Sequence, residues 1–183
     1  MKSALLLATG LLAISTTASA GGASGYAGLA LGTDPGISGD LTTMAPNVAP
    51  EGRSLRGLGG VRFGKFAVEG ALNGFDVATN RGDKTIYQFS VAAKYSLPLG
   101  NNFEAFGRAG LERTWLSLDD ERYDFAGNGF LVGAGFEYRL TTSVVKNASI
   151  FVDYNIHHAT LENPRAKLDE TSRIWALGFT IGF

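Results

Sequence analysis

The only two histidines of this 183-residue chain are adjacent, in the run His157-His158-Ala159-Thr160, with Glu162 and Glu170 downstream. Acyl transfer asks for a hydroxyl nucleophile, an imidazole base and a carboxylate that orients the base. His158, Thr160 and one of the two glutamates come nearest to that set. The fit is poor, because the hydroxyl belongs to a threonine and, counted from His157, the second position is Ala159. No catalytic residue is assigned. Adjacent residues of a strand point to opposite faces, so His157 and His158 cannot ligate one ion together. The acidic run Asp119-Asp120-Glu121 lacks the glycine and ligand spacing of a calcium-binding loop. Cysteine is absent, which excludes disulfides and thiolate metal sites. Neither a metal nor a cofactor is expected.

A larger set of charged residues has a clearer pattern. Arg56, Arg62, Glu69, Lys94, Arg108, Glu112, Glu137, Arg139 and Asp153 all fall on the polar side of alternating segments, opposite large apolar residues. Five are cations and four are anions. If these faces are enclosed, the charges must pair, because an unpaired buried charge costs several kcal/mol. Neighbouring segments suggest Arg108 with Glu137 and Lys94 with Glu69. A second group of cations, Arg53, Arg81, Lys84, Arg113, Arg122, Arg165, Lys167 and Arg173, lies in or near the links between segments. Such a set can pair with phosphates, although Asp119, Asp120, Glu121 and Asp124 lie among the same links.

The elements that must position these residues repeat with a period of two, the signature of strands with two unlike faces. Eight are expected, at about 25–33, 53–64, 65–77, 84–97, 102–117, 129–141, 148–160 and 172–183. In the last, Trp175, Leu177, Phe179, Ile181 and Phe183 alternate with residues that are mostly small. The links alternate between long (34–52, 78–83, 117–128, 161–171) and short (64–65, 98–101), with 142–147 intermediate. A two-layer sandwich has no reason to keep that rhythm, whereas a membrane barrel has long loops at one end and short turns at the other. Phe63, Phe66, Tyr95, Phe103, Tyr138 and Phe183 would form an aromatic belt at the short-turn end, and Tyr87 and Trp115 would approach the other. Glycine-rich runs such as Gly57-Leu58-Gly59-Gly60 and Gly133-Ala134-Gly135 lie inside strands with no helix after them, so they are not phosphate cradles.

Residues 1–20 have the plan of a secretory leader: Met1-Lys2, an apolar run from Ala4 to Ile14, and Ala18-Ser19-Ala20 before the cleavage point. Residues 21–183 are then a single domain. The whole chain's balance of 16 Lys and Arg against 17 Asp and Glu gives no basic patch for nucleic acid. At 45% hydrophobic and 18% charged residues it is not a disordered chain. No stretch beyond the leader reaches the roughly 18 consecutive apolar residues of a membrane helix.

Taken together, the leader, eight alternating segments, alternating link lengths and the ending Trp175-Ala176-Leu177-Gly178-Phe179-Thr180-Ile181-Gly182-Phe183 resemble the small eight-stranded outer-membrane proteins of Gram-negative bacteria, the OmpA-type transmembrane domain, OmpX/Ail and porin-like families. The resemblance implies an all-β, closed, antiparallel, up-and-down transmembrane barrel in the outer membrane, with both termini in the periplasm. It implies outer-membrane lipid and lipopolysaccharide as surroundings, and the barrel-insertion machinery as a partner that reads Trp175, Leu177, Phe179, Ile181 and Phe183. It implies a structural or surface-interaction role, with a host or cell-surface ligand on the loops. A narrow gated channel is one alternative. A lipid A-modifying enzyme is another, since related deacylases carry a His-x-Ser pattern where this chain has His158-x-Thr160.

Overall fold

The computed structural model describes residues 22–40, 49–79, 82–117, 125–140, 147–163 and 166–183. The leader expected at residues 1–20 lies outside them.

Among the described residues nine strands form one sheet: β1 (Ala23–Gly32), β2 (Gly36–Gly39), β3 (Ala49–Phe63), β4 (Phe66–Thr79), β5 (Gly82–Gly100), β6 (Phe103–Ser117), β7 (Phe125–Leu140), β8 (Ala148–Asn163) and β9 (Ala166–Gly182). Every pairing is antiparallel between neighbours, and β1 pairs with β9 to close the sheet into an eight-stranded barrel. The ninth strand, β2, falls in the link expected at 34–52. It continues β1 along the same partner, since Gly32 lies opposite Ala176 and Gly36 opposite Arg173. Four residue steps on one side meet three on the other, so Thr33–Pro35 is a bulge. Proline supplies no N–H to the ladder, which makes Pro35 suited to the interruption.

Two connections are tight turns, one at 64–65 as expected and one at 101–102 rather than 98–101, because β5 runs on to Gly100. Phe63 pairs with Phe66 across Gly64-Lys65, where Gly64 has φ 62°, and β5 meets β6 across Asn101-Asn102, with φ 50° and 66°. Both fit the primed turns that follow the twist of a hairpin, and asparagine is the side chain that best tolerates such angles. The opposite end differs from expectation. The links placed at 78–83 and 161–171 are mostly strand, because β4 and β5 pair out to Thr79 and Gly82, and β8 and β9 out to Asn163 and Ala166. On β8 and β9 these segments turn Glu162, Lys167 and Asp169 outward in place of large apolar residues, so the outward apolar stripe ends while the ladder continues.

The two faces of the wall decide what surrounds it. Outward-facing Leu29, Val68, Val91, Leu111, Phe136, Val152 and Leu177 are exposed, while inward-facing Arg56, Glu69, Lys94, Arg108, Glu112, Glu137 and Asp153 are buried. A soluble sandwich would have the reverse. A continuous exposed apolar belt around an enclosed polar core is the arrangement for hydrocarbon surroundings. At the turn end the belt is edged by the ring pairs Phe66–Tyr95 and Phe103–Tyr138, each 4.7 Å between centroids. On β9 the belt runs from Phe183 back to Trp175, eight steps, or about 20 Å of membrane normal at the usual tilt. Beyond Trp175 the outer face turns polar, with Arg173, Thr171, Asp169 and Lys167.

Candidate functional site

The lumen is occupied by side chains in three levels. Nearest the turn end, Arg62 donates from Nη1 to Glu104 Oε2 at 3.1 Å and from Nη2 to Ser96 Oγ at 3.4 Å. Its Nη2 also lies 3.5 Å from Glu137 Oε2. Lys94 Nζ donates to the same Glu137 oxygen at 2.8 Å and stands 4.2 Å from the Phe106 ring centroid. Arg139 Nη2 reaches Glu104 Oε1 at 2.7 Å, but the Arg139 side chain is 45% exposed and sits at the mouth rather than in the interior.

The middle level centres on Asp153. Its side chain is fully buried and accepts from Arg56 Nη2 at 2.6 Å and from Asn155 Nδ2 at 2.8 Å, with Arg108 Nη2 at 3.1 Å. Arg108 also stands 3.8 Å from Glu69 Oε1. Space for this cluster comes from Gly133 and Gly135 on β7, where an added Cβ would meet Asn155 Oδ1 at 2.2 Å and Asp153 Cβ at 2.7 Å. Beside it a neutral chain runs from Asn73 to Gln88 at 3.0 Å and from Gln88 to Ser172 at 3.1 Å.

Towards the loop end, Glu112 Oε2 meets His157 Nδ1 at 2.5 Å. Above this pair the lumen turns apolar. Phe75, Ile86, Leu116 and Ile174 pack together with Ile37 and Phe125 against them, and Ala159, Leu161 and Leu168 form an adjoining cluster that shares Phe125. The polar network is thus closed by an apolar cap.

Seven of the nine expected network residues are buried, Arg62 is half-buried near the turn end, and Arg139 stands at the rim. The expected partners are corrected: Arg108 pairs with Asp153 and Glu69, not Glu137, and Lys94 pairs with Glu137, not Glu69. The register explains this. Glu69 lies opposite Ala92 rather than Lys94, and Glu137 lies opposite Glu104, far along β7 from the Gly133 that faces Arg108. Long side chains then cross the lumen instead of following the wall. Two participants, and one enclosed carboxylate that stands outside the network, were missed. Glu104 shares the parity of Arg108 and Glu112 on one strand, and His157 shares that of Asp153, so alternation alone could have found both. Glu170 lay in a segment read as a link.

The outer wall holds the other candidates. Arg53, Arg113, Lys167 and Arg173 are exposed near the loop end. The Arg81, Arg122 and Arg165 positions and the side chain of Lys84 lie outside the described residues. Arg113 stacks on Trp115 at 5.7 Å and donates to Asn128 Oδ1 at 3.4 Å, whereas Lys167 pairs with Glu162 at 2.9 Å. Arg173 Nη1 donates to Ser38 Oγ at 3.2 Å. Arg113, Asn128, Thr160, Glu162 and Lys167 line a shallow cleft of about 230 Å³.

The nucleophile set does not assemble. His158 contacts the Thr171 hydroxyl at 2.9 Å through Nδ1, Thr160 donates to Asp169 at 2.7 Å, and Glu170 is enclosed on the lumen side of the wall. Among the described residues no three His, Asp or Glu side chains group closely enough to hold a metal. The terminal strand is anchored, with Gly25 N to Phe183 O at 3.1 Å and Phe183 N to Gly25 O at 2.9 Å, and Trp175, Leu177, Phe179, Ile181 and Phe183 face outward.

Among solved structures, similar chains include Neisserial surface protein A, at 16% identity, a TM-score of 0.62, and coverage of 89% of this chain and 98% of that one. Ail of Yersinia pestis, crystallised with the heparin analogue sucrose octasulfate, matches at 16% identity and TM-score 0.51, covering 88% and 97%. The outer membrane protein OprG of Pseudomonas aeruginosa matches at 17% identity and TM-score 0.50, covering 88% and 96%. These likenesses are of fold. A comparison with curated proteins finds no match by sequence. A family model described as the outer membrane protein beta-barrel domain matches residues 4–183, and the chain belongs to that family.

Proposed function

We propose that this protein is a sealed barrel of the Gram-negative outer membrane, without catalytic activity, that acts through the surface it presents at its loop end. Residues 1–20 are the leader removed on export, and the turn end with both termini faces the periplasm. The observation that carries this reading is the filled lumen. Arg56, Arg108 and Lys94 are bound to buried carboxylates at mid-barrel, and the apolar cap closes the loop end above them. An eight-stranded interior is wide enough only for its own side chains, so a solute path would require several buried ion pairs to break together.

What remains accessible is the loop-end rim. Arg113 and Arg173 are exposed with hydroxyl or amide contacts, and no carboxylate partner is found among the described residues. Arg173 stands just beyond Trp175, the last apolar residue of the belt on β9, and Arg113 lies beside Trp115 at the belt's aromatic edge, where guanidinium groups suit phosphate or sulfate. Lipopolysaccharide phosphates are the nearest such ligand. The sulfated sugar bound by the Ail structure is of the same chemical class.

Planar-bilayer recording of the refolded protein tests the sealed reading. Silence is expected, and discrete reproducible steps would replace it with the narrow-channel reading. Lipid A mass spectra from cells with and without the protein test the absence of catalysis, with an unchanged acyl pattern expected.

A further inference from the structure

Glu170 is the one feature of the cap that packing does not explain. It lies on β9 beyond the apolar belt, where its outward neighbours Asp169 and Thr171 are polar. Its own side chain turns inward and is 2% exposed, and among the described residues neither carboxylate oxygen has a hydrogen-bond partner. Its surroundings are Ala159, its neighbour across the β8–β9 ladder, and Leu168 two residues away on the same face. Among the described residues the ionisable groups on the facing walls are Glu112 of β6 and His157 of β8. At this level β7 offers Gly127 and Gly129, β5 offers Gln88, β4 offers Asn73, and β2 places Gly39 opposite Glu170. Glu112 is already engaged by His157 and by the Thr114 hydroxyl at 3.4 Å. Among the described residues Glu170 has no such neighbour, and Glu112 repels its ionised form.

We propose that Glu170 is a proton-operated latch on the loop-end cap: protonated it lets the cap and β2 stay docked on β9, and ionised it draws water into the cap and loosens them. A neutral carboxyl can stay among Ala159, Leu161 and Leu168 at modest cost. An ionised one with two bare oxygens cannot, because burying an unsolvated charge costs far more than burying an unpaired neutral group. Burial first, and the Glu112 charge second, push its pKa up to about 7, so the changeover falls near neutral pH. The segments that respond are those bonded to the start of β9. These are β2, paired from Gly36 to Gly39, and Asp40, whose carboxylate accepts from the Asp169 N–H at 3.1 Å. The latch goes beyond the proposed function by making the displayed surface depend on pH, while the ion-pair levels below keep the lumen closed in both states.

Hydrogen exchange of the protein in phosphatidylcholine vesicles, corrected for the intrinsic pH dependence of the chemistry, tests the latch. Between about pH 5.5 and about pH 8.5, amides of residues 168–172 and 36–39 are expected to exchange about tenfold faster or more, following one carboxyl group through its titration. Glu170→Gln should hold them at the slow level across the range, and His157→Gln should leave a pH response in place. No pH dependence in the unaltered protein overturns the latch. So does an equal dependence in Glu170→Gln, or a dependence lost in His157→Gln and kept in Glu170→Gln, which would move the switch to His157. Bilayer conductance recorded at the same two pH values separates the proposals: current refutes the sealed lumen, and flat exchange refutes the latch.

Discussion

Replacing Asp153 by asparagine should destabilise the barrel more than any other single change at a lumen charge. Asp153 is fully buried and holds Arg56 at 2.6 Å and Arg108 at 3.1 Å. Asparagine keeps the volume and one acceptor oxygen but leaves two guanidinium groups facing each other with their shared counter-charge gone. At about 3 Å and an effective dielectric constant near 20, each lost attraction is worth roughly 5 kcal/mol before solvation is counted. Measured losses on breaking a buried pair run at about 3–5 kcal/mol. With a urea dependence of about 2 kcal/mol per molar, the midpoint of the barrel refolded in vesicles should fall by about 2 M.

The control that isolates the cause is a double substitution. Arg108→Leu alone leaves Glu69 without its 3.8 Å partner but leaves Asp153 with Arg56, so its cost should be smaller, about 3 kcal/mol. Combined with Asp153→Asn it removes one of the two orphaned cations, so the pair should cost about 1–3 kcal/mol less than the sum of the singles. A midpoint shift for Asp153→Asn below about 0.3 M, or strict additivity in the double variant, would refute Asp153 as the hub of the lumen.

Glu170 makes stability depend on pH with a definite sign. Its folded pKa near 7 lies above the ordinary 4.5, so its contribution is intact below about pH 4.5 and is lost as pH rises through 7. The loss approaches about 3 kcal/mol, and equilibrium unfolding of Glu170→Gln should lack that slope. Asn102 holds φ 66° in the β5–β6 turn. Asn102→Val should cost about 1–2 kcal/mol in unfolding measurements while Asn102→Gly is tolerated. At the rim, Arg113→Ala together with Arg173→Ala should weaken binding to lipopolysaccharide vesicles several-fold, with a shallower salt dependence and unchanged stability. Equal binding would remove the phosphate reading of these two residues.

Most of the barrel was legible because its two faces differ so strongly. Wherever a strand crosses the apolar belt, as from Trp175 to Phe183, large outward residues alternate with small or polar inward ones, and a period of two is unmistakable. Legibility ended where the belt ended. The outer ends of β8 and β9 present Thr160, Glu162, Lys167 and Asp169 outward and Ala159, Leu161 and Leu168 inward, so the large apolar outward face that marked the strands is gone and its polarity reversed, and strand looked like link. β2 was hidden for a second reason. Four residues after a proline bulge carry too little pattern to register as a strand, and its place is dictated by β9, more than a hundred residues away in sequence.

The lumen network shows a different limit. Membership of the network is a local property, set by parity along one strand, and parity placed Arg56, Lys94, Arg108 and Asp153 on the inner wall. Partnership is not local. Arg56 and Asp153 are 97 residues apart and meet across the lumen, a contact fixed by the relative stagger of strands that no single strand encodes. Charge balance nonetheless constrained the outcome in advance, since an enclosed set of cations must find its anions somewhere within the same wall. Glu170 violates that rule. Among the described residues it is an enclosed carboxylate with no cation and no donor. If this acid is neutral, the cap around it is simply an apolar plug. If it is charged, the cap cannot remain dry. The difference between those two states is one proton, held at the loop end of the barrel.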